Sequence, residues 1–138
     1  MKLDILPFEI QHYDEVISLW KSSEGVGLSS ADSKESIEKY LLRNPGLSFI
    51  ACVEGKIVGT ILGGHDGHRG YIHHLAVIPK FRKSGIGAKL TEHCLNALKI
   101  EGIEKCHLFV FQDNIAAINF WANTGWEMRD DLFVMSMQ

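Results

Sequence analysis

The sequence predicts an α/β domain in which four helices flank a mixed sheet of seven strands. Short apolar runs alternate with segments whose apolar residues recur at helical spacing. The turn signals Glu54-Gly55-Lys56 and Asp66-Gly67 separate consecutive strands. A length of 138 residues, 46% of them hydrophobic and 22% charged, suits one domain over residues 1–138.

The predicted order along the chain is β-α-α-β-β-β-α-β-α-β-β. The strands are apolar runs that end at turn residues, and they cover residues 2–7, 48–53, 57–63, 70–78, 107–111, 126–129 and 132–137. Pro79 ends the fourth of these strands. Between the first two predicted helices lies a Gly/Ser-rich loop, residues 22–31.

Capping residues and glycines bound the four predicted helices. The first covers about residues 11–21, the second follows a cap at Asp32 or Ser33 and ends at residue 44, the third runs from about Gly85 to residue 102, and the fourth runs from a cap at Asn114 to residue 123.

The composition argues against several classes of function. A net charge of −3, without a basic stripe interleaved with aromatic residues, argues against a nucleic-acid-binding surface. No apolar stretch approaches the roughly 20 residues of a membrane span, and Asp4 and Glu9 interrupt the N-terminal run, so neither a membrane helix nor a signal peptide is expected. The widely spaced Cys52, Cys94 and Cys106 fit neither a disulfide framework nor a zinc site, and they predict buried thiols in a reducing cytoplasm.

Residues 79–88 are the most informative segment, because they follow a predicted strand and open a predicted helix. The first backbone N–H groups of a helix have no internal partner and can bind an anion. Gly85 and Gly87 lack a Cβ and allow a phosphate to approach closely, while Arg82 and Lys83 add positive charge. The segment matches neither a Walker A loop nor a dinucleotide-binding fingerprint. A tight turn with solvated basic residues is the alternative interpretation.

Two motifs resemble the signatures of one family. Arg82-x-x-Gly85-x-Gly87 is similar to the (Arg/Gln)-x-x-Gly-x-(Gly/Ala) signature of the GNAT acetyltransferase superfamily, and Leu75-Ala76-Val77-Ile78-Pro79 resembles the strand end that precedes it. The segment Asn114-x-x-Ala117-x-x-Phe120-Trp121-x-x-x-Gly125-Trp126 resembles the second signature of that family. The turn at residues 64–70 resembles a YpeA-like bacterial branch.

The resemblance implies a GNAT-like, mostly antiparallel sheet and an N-acetyltransferase. Such an enzyme moves an acetyl group from acetyl-CoA directly to a primary amine of a small molecule or peptide, without a metal. The acetyl-CoA arm is expected in a wedge between the fourth and fifth strands. The residues implied to bind it are Leu75, Ala76, Val77, Arg82, Lys83, Ser84, Gly85, Ile86, Gly87, Ala88, Asn114, Ala117 and Phe120. A helix cap is the alternative role for Asn114, and core packing is the alternative for Ala117 and Phe120.

The chain departs from the family pattern at two positions. Trp121 stands where relatives carry a tyrosine that protonates the departing thiolate, and Phe109 stands where many carry a glutamate base. Indole N–H is not a usable acid, so core packing is the role expected of Trp121. His73 and His74 are then the candidates for the catalytic base, with His74 preferred, and a structural role is the alternative for each. Strand alternation predicts that only one of them faces the cleft.

Two residues are expected to contact the acceptor. Glu24 lies in the Gly-rich loop, where it either holds a cationic amine or is simply solvated, and Tyr71 shares a predicted strand face with His73. His65 and His68 flank an Asp-Gly turn without an evident third ligand, so no metal site is expected. An acyl-CoA-binding module with little or no turnover is the alternative function, and a purely structural domain is a weaker one. The sequence leaves the oligomeric state open, with a homodimer as one option.

Overall fold

The computed structural model describes residues 2–138, which form five strands and four helices. The strands are β1 (Leu3–Pro7), β2 (Phe49–Val53), β3 (Lys56–His65), β4 (Gly70–Val77) and β5 (Cys106–Leu108). The helices are α1 (Tyr13–Lys21), α2 (Lys34–Arg43), α3 (Ile86–Ile100) and α4 (Ile115–Asn123). The strand order in the sheet is β1-β2-β3-β4-β5, and all neighbours are antiparallel except β4 and β5, which are parallel.

Tight turns connect β2 to β3 and β3 to β4. Glu54 (φ 51) and Gly55 (φ 80) both adopt positive φ, which matches the twist of a two-residue hairpin between β2 and β3. In the next turn, Asp66 Oδ1 accepts hydrogen bonds from the backbone N–H groups of Arg69 and His68, each at 2.8 Å. These two donors lower the pKa of Asp66.

Helices cover both faces of the sheet. On one face, Val16 and Trp20 of α1 and Ile37 of α2 are fully or almost fully buried against strand residues that include Ile50. On the other face, α3 and α4 pack on a second apolar cluster that includes Ala51, the next residue along β2. Successive strand residues therefore serve opposite cores, as expected of a strand buried on both sides.

The predicted seven-stranded sheet is wrong, because the described residues form five strands. Residues 126–129 and 132–137 form neither helix nor strand, and Phe133, Met135 and Met137 are 97%, 93% and 97% exposed. An apolar run gives only a propensity, whereas a strand also needs a neighbour that completes its hydrogen-bond ladder. Here a groove of about 1040 Å³ separates β5 from residues 124–131. The strand predicted at residues 107–111 is shorter, because β5 leaves β4 after Leu108.

The four predicted helices are confirmed, with small shifts at their ends. A 3₁₀ turn, Ile10–His12, precedes α1, which therefore begins at Tyr13. Ser33 caps α2 through its Oγ, which accepts a backbone N–H at 3.1 Å. Gly85 and Asn114 occupy the N-caps of α3 and α4. Within residues 2–138, no helix combines the length and the apolar character that crossing a bilayer requires.

Candidate active site

A cavity of about 320 Å³ opens where β4 and β5 separate. The two strands pair only between Gly70–Ile72 on β4 and the three residues of β5. Beyond Ile72 the strands diverge, and the cavity lies between them. His73, His74 and Leu75 line the β4 side, while residues 108–111 line the other side. The structure thus contains a wedge between β4 and β5, where the family resemblance implied one.

The loop between β4 and α3 presents free backbone N–H groups at the start of the helix. Gly85 caps α3 in the left-handed conformation (φ 84), and Lys83 also adopts a positive φ of 65. The first hydrogen bond of the helix runs from Lys89 N to Gly85 O at 3.0 Å, so the N–H groups of residues 86–88 have no acceptor within residues 2–138. Residues 82–85 are exposed. Free N–H groups at the positive end of a helix dipole favour an anion.

Arg82 folds back from this loop onto β4. Its Nε donates to the carbonyl oxygen of Val77 at 2.8 Å. The next residue, Ile78, directs its N–H to Val58 O on β3 at 2.9 Å. Because successive strand residues direct their backbone groups to opposite sides, Val77 directs its N–H away from β3, on the side of the wedge.

Glycine is favoured at positions 85 and 87 for different structural reasons. A Cβ on Gly85 would meet nothing within 4 Å, so its positive φ is what favours glycine there. A Cβ on Gly87 would lie 3.3 Å from Phe120 Cζ and 3.8 Å from Leu75 Cδ2. Close packing of α3 on α4 and β4 is therefore the reason for Gly87.

The residues implied to bind the cofactor divide between the cavity and the loop. Those that line the cavity are Leu75, Asn114 and Ala117. Those in the loop and the first turn of α3 are Arg82, Lys83, Ser84, Gly85, Ile86, Gly87 and Ala88, of which Ile86 is buried in the core. The others, Ala76, Val77 and Phe120, do not line the cavity.

A β-bulge interrupts strand alternation at the two histidines. Leu62 pairs with His73 and Thr60 pairs with Ala76, so two steps along β3 correspond to three steps along β4. His74 adopts φ 51, a conformation that is rare for residues other than glycine. Alternation predicted that only one histidine would face the cleft, but with the bulge between them both line the cavity.

A buried carboxylate holds His74 in place. Nε2 of His74 lies 2.7 Å from Oδ1 of Asp32, and the two side chains are only 15% and 9% exposed. The indole of Trp20 lies edge-on to the imidazole, with 4.8 Å between the ring centroids. Trp20 Nε1 also donates to Thr60 Oγ1 at 2.8 Å, and this hydroxyl donates to the carbonyl oxygen of His74 at 3.3 Å. These two hydrogen bonds stabilise the backbone of the bulge at His74.

The sequence predicted Asp32 only as a possible cap of the second helix, whereas the structure places it against His74. Asp32 ends a 3₁₀ turn before α2, where its Oδ2 accepts the N–H of Ser29 at 3.0 Å and its carbonyl oxygen accepts the hydroxyl of Tyr13 at 2.6 Å. One signal was available, since Asp32 and Glu24 are the two charged residues between residues 22 and 33. A partner on β4, 42 positions further along the chain, is not visible in such a local pattern.

His73 lies in an aromatic cluster. The ring centroids of Tyr40 and Tyr71 each lie 6.4 Å from its imidazole, and that of Phe109 lies 6.3 Å away. Burial, and then the neighbouring His74, lowers the pKa of His73 below its ordinary value of 6.5. Phe109 is 61% exposed and lines the cavity. Tyr71 does not line the cavity, but its ring contacts the rings of His73 and Phe109, which do.

The loop after α1 lies against the N-terminus of α4. Residues 24–27 line the cavity. A Cβ on Gly25 would lie 2.3 Å from Nδ2 of Asn114, and one on Gly27 would lie 3.1 Å from Cζ of Phe111. Oδ1 of Asn114 accepts a backbone N–H of α4 at 3.1 Å, so the capping role is confirmed. The cap uses Oδ1 alone and leaves Nδ2 as a donor.

Trp121 is buried, whereas Glu24 is exposed to solvent. Trp121 is 9% exposed and packs on Trp126 at 5.1 Å and Phe120 at 5.0 Å, in the core as expected. It also lines the cavity. Glu24 is exposed and supplies the one carboxylate among the lining residues in the described chain.

His65, at the end of β3, is hydrogen-bonded within the fold. His65 Nε2 lies 2.8 Å from Glu101, and its Nδ1 accepts the N–H of Gly67 at 2.9 Å. In the part of the chain that the structure describes, no three His, Cys, Asp or Glu side chains are grouped to hold a metal ion. The three cysteines are free thiols, and burial raises the pKa of Cys94 to about 12.

Comparisons with known proteins agree with this geometry. Residues 13–126 match the profile of the Acetyltransferase (GNAT) family. An acetyltransferase of Sodalis glossinidius is 34% identical to this chain over 133 residues, which cover 96% of this chain and 93% of that protein.

Two solved structures share the fold. AAC(6')-Iy, in complex with the bisubstrate analogue CoA-S-monomethyl-acetylneamine, superposes with a TM-score of 0.81 over 100% of this chain and 99% of its own, at 18% identity. The PaiA N-acetyltransferase of Thermoplasma acidophilum, in complex with coenzyme A, superposes with a TM-score of 0.82 over 94% and 92%, at 20% identity. The YpeA-like branch stays a prediction.

Proposed function

Because the chain belongs to the GNAT acetyltransferase family, we propose that it moves an acetyl group from acetyl-CoA directly to a primary amine of a small molecule or peptide. The observation that carries the proposal is the wedge between β4 and β5, which opens beside the free N–H groups at the start of α3. A thioester on a long arm with a pyrophosphate at its far end fits both features. We place this activity in one domain, residues 1–138, in a reducing cytoplasm that suits its free cysteines.

The donor is proposed to lie with its pyrophosphate on residues 82–88. The helix N-terminus supplies hydrogen-bond donors, and Arg82 and Lys83 supply charge. The arm then runs along the edge of β4 at residues 75–77, none of which pairs with β5 and the last two of which pair with β3, in the manner of a strand added to an edge. Nδ2 of Asn114, which the helix cap does not use, is proposed to donate to the arm.

The proposed reaction balances without any further cofactor. A neutral amine nitrogen attacks the thioester carbonyl carbon, the N–C bond forms, and the C–S bond then breaks. The N–H of Val77 is the candidate donor to the intermediate oxyanion. The amine proton passes to a base, the departing thiolate takes a proton from water, and the protonated base returns its proton to the hydroxide that is left. Trp121, at the position of the family tyrosine, has no usable proton to give.

His74 is our first candidate for the base, and His73 is the second. Both line the cavity. His74 is held at one ring nitrogen by Asp32, which leaves the other nitrogen to accept a proton. The lowered pKa of His73 makes its imidazole a weaker proton acceptor.

The acceptor class is constrained by the cost of a neutral amine. A lysine-like amine with a pKa of ~10.4 costs about 4.6 kcal/mol to deprotonate at pH 7, whereas an α-amine with a pKa of ~8 costs about 1.4 kcal/mol. We propose that two residues contact the acceptor. Glu24 lines the cavity, and the ring of Tyr71 stacks on that of His73. AAC(6')-Iy is an aminoglycoside N-acetyltransferase, which makes aminoglycosides one class to test.

An acyl-CoA-binding module with little or no turnover is the second candidate, favoured by Trp121 and Phe109 at the positions of the family acid and base. A screen for release of the CoA thiol separates the two. Acetyl-CoA is offered with polyamines, amino acids, aminoglycosides and peptides with free N-termini. Amine-dependent release above hydrolysis supports the transferase, and calorimetric binding of acetyl-CoA without release supports the module. Absence of binding contradicts both.

A further inference from the structure

We infer that Asp32 is a positioning residue for acetyl transfer: it fixes the orientation and the tautomer of His74 so that Nδ1 of His74 accepts the amine proton. The inference rests on the proposed function and goes beyond it, because Asp32 matches neither family motif. It assigns the loop before α2 a part in the chemistry of the wedge, which lies between β4 and β5.

The hydrogen bonds around Asp32 define the tautomer. Oδ1 lies 2.7 Å from Nε2 of His74, and Oδ2 accepts the N–H of Ser29 at 3.0 Å. A carboxylate offers only acceptors, so the hydrogen between Asp32 and His74 belongs to Nε2. A neutral imidazole protonated at Nε2 carries its lone pair at Nδ1.

Nδ1 of His74 is the ring nitrogen that does not contact Asp32. It has no hydrogen-bond partner within residues 2–138. Among the described residues, the hydroxyl of Tyr40 is the one fully buried side-chain N or O atom without a partner, so Nδ1 is not fully buried. Because His74 lines the cavity, an amine bound there can approach this nitrogen.

The loop has anchors besides the carboxylate of Asp32, whose Oδ2 accepts the N–H of Ser29. The hydroxyl of Tyr13 holds the main-chain carbonyl of Asp32 at 2.6 Å, and Ser29 Oγ accepts the N–H of Ala31 at 3.2 Å. Ser33 caps the helix that follows. Burying an ionised side chain is costly unless donors compensate it, and His74 is the side-chain donor that Asp32 has.

Other ionisable groups near His74 are few. His73 is its neighbour on β4, with 6.4 Å between the rings, and Glu24 lines the same cavity. Tyr13 of α1 contacts the carbonyl of Asp32, and Tyr40 of α2 contacts His73 rather than His74. After the proton has moved from the amine to Nδ1, Asp32 is the carboxylate that directly stabilises the imidazolium.

The kinetic test replaces Asp32 by asparagine. We expect Asp32→Asn to lower kcat/KM for the amine at least tenfold at pH 7 and to leave the Kd of acetyl-CoA unchanged, because the amide can donate to Nε2 and impose the wrong tautomer. The double variant with His74→Ala should be no slower than His74→Ala alone. Tyr13→Phe, which removes an anchor of the same loop, should stay within twofold of the wild-type rate. Additive losses in the double variant, or an equal loss in Tyr13→Phe, would overturn the inference.

A second readout separates this inference from the proposed function. The ¹⁵N chemical shifts of the His74 ring, assigned by their disappearance in His74→Gln, report the tautomer without turnover. We expect protonation at Nε2 in the wild-type protein and loss of that preference in Asp32→Asn. A mixture of tautomers in the wild-type protein would overturn the inference even if acetyl transfer is fast. A fixed Nε2–H tautomer without amine-dependent CoA release would instead contradict the proposed function.

Discussion

A methyl group on Gly25 would lie 2.3 Å from the side-chain amide nitrogen of Asn114. This close approach joins the loop after α1 to the cap of α4, and both elements line the cavity. Gly25 also has a φ of 83, so the position combines a left-handed backbone with no room for a side chain. The separation between the loop that carries Glu24 and the first turn of α4 depends on this contact.

Gly25→Ala is expected to move the loop away from Asn114 and to weaken acetyl-CoA binding several-fold. Calorimetric titration measures the affinity, and thermal unfolding measures the Tm. Gly46→Ala is the matched control, because Gly46 has a φ of 75 and a Cβ there meets nothing within 4 Å. Both variants carry backbone strain, but only the first creates a collision. Equal affinities in the two variants would show that the contact does not shape the cavity.

Gly85→Asp is expected to weaken acetyl-CoA binding at least tenfold more than Gly85→Asn. Asparagine and aspartate have nearly the same shape, and both tolerate the φ of 84 at this position better than other residues with a Cβ. The pair therefore isolates the effect of a negative charge beside the pyrophosphate. Gly87 is less suitable for this test, since its Cβ would press on Phe120. Calorimetry decides, and equal affinities in the two folded variants would contradict the phosphate site.

Trp121→Tyr is expected to raise turnover, because a phenol can protonate the departing thiolate and an indole cannot. Trp121→Phe is the control without either group. It should cost about 1–2 kcal/mol of stability, since Trp121 packs on Trp126 at 5.1 Å, but it should change turnover little. Steady-state kinetics and urea unfolding measure the two effects. A loss of turnover above tenfold, about 1.4 kcal/mol, in the folded Phe variant would assign the indole a chemical role.

The parts of the fold that the sequence predicted correctly are governed by local rules. Gly85 and Asn114 were predicted as helix starts, and both occupy N-caps, because a cap depends on a few neighbouring residues. The strands predicted at residues 126–129 and 132–137 failed because strand pairing depends on a distant partner, which apolar periodicity does not report.

The candidate site was predictable only in part for the same reason. The loop that opens α3 was predictable because its motif is contiguous in the chain, whereas the wedge was implied only by the family resemblance. The β-bulge was not visible, because no glycine marks the position of His74, and the partners that His74 meets there, the ring of Trp20 and the hydroxyl of Thr60, lie far away in the sequence. The contact of His74 with Asp32 spans 42 positions, and only the fold brings the two together.

The lowered pKa of His73 predicts how stability depends on pH. In the unfolded chain a histidine gains its proton near pH 6.5, whereas folded His73 stays neutral to a lower pH. Below pH 6.5 the unfolded state therefore binds more protons, and the free energy of unfolding falls as the pH falls; the stability is fully present above that pH. His73→Phe should flatten this dependence between about pH 5 and 7. Urea unfolding measures it, with His68→Gln in the exposed turn as control. A slope unchanged by His73→Phe would contradict the prediction.

The identity of the base is tested by the pH dependence of the two histidine variants. Rates are measured at saturating acetyl-CoA and low amine, with a lysine-like acceptor whose own pKa of ~10.4 lies far from that of histidine. The neutral fraction of this amine rises about tenfold per pH unit at low pH, and the wild-type kcat/KM should show an additional rise on top of it, because the catalytic base must also lose its proton. His74→Ala should remove this additional rise and lower kcat/KM by about 10²–10⁴-fold.

His73→Ala should have the smaller effect, because the two histidines differ in their surroundings although both line the cavity. His74 has one ring nitrogen held by Asp32 and the other free, whereas burial lowers the pKa of His73 and makes it a poorer proton acceptor. The reverse order of effects would identify His73 as the base. If both folded variants keep the wild-type rate and pH profile, neither histidine takes the proton. The amine must then arrive neutral, and the enzyme should prefer α-amines over lysine-like amines, because deprotonating the latter costs about 3 kcal/mol more at pH 7.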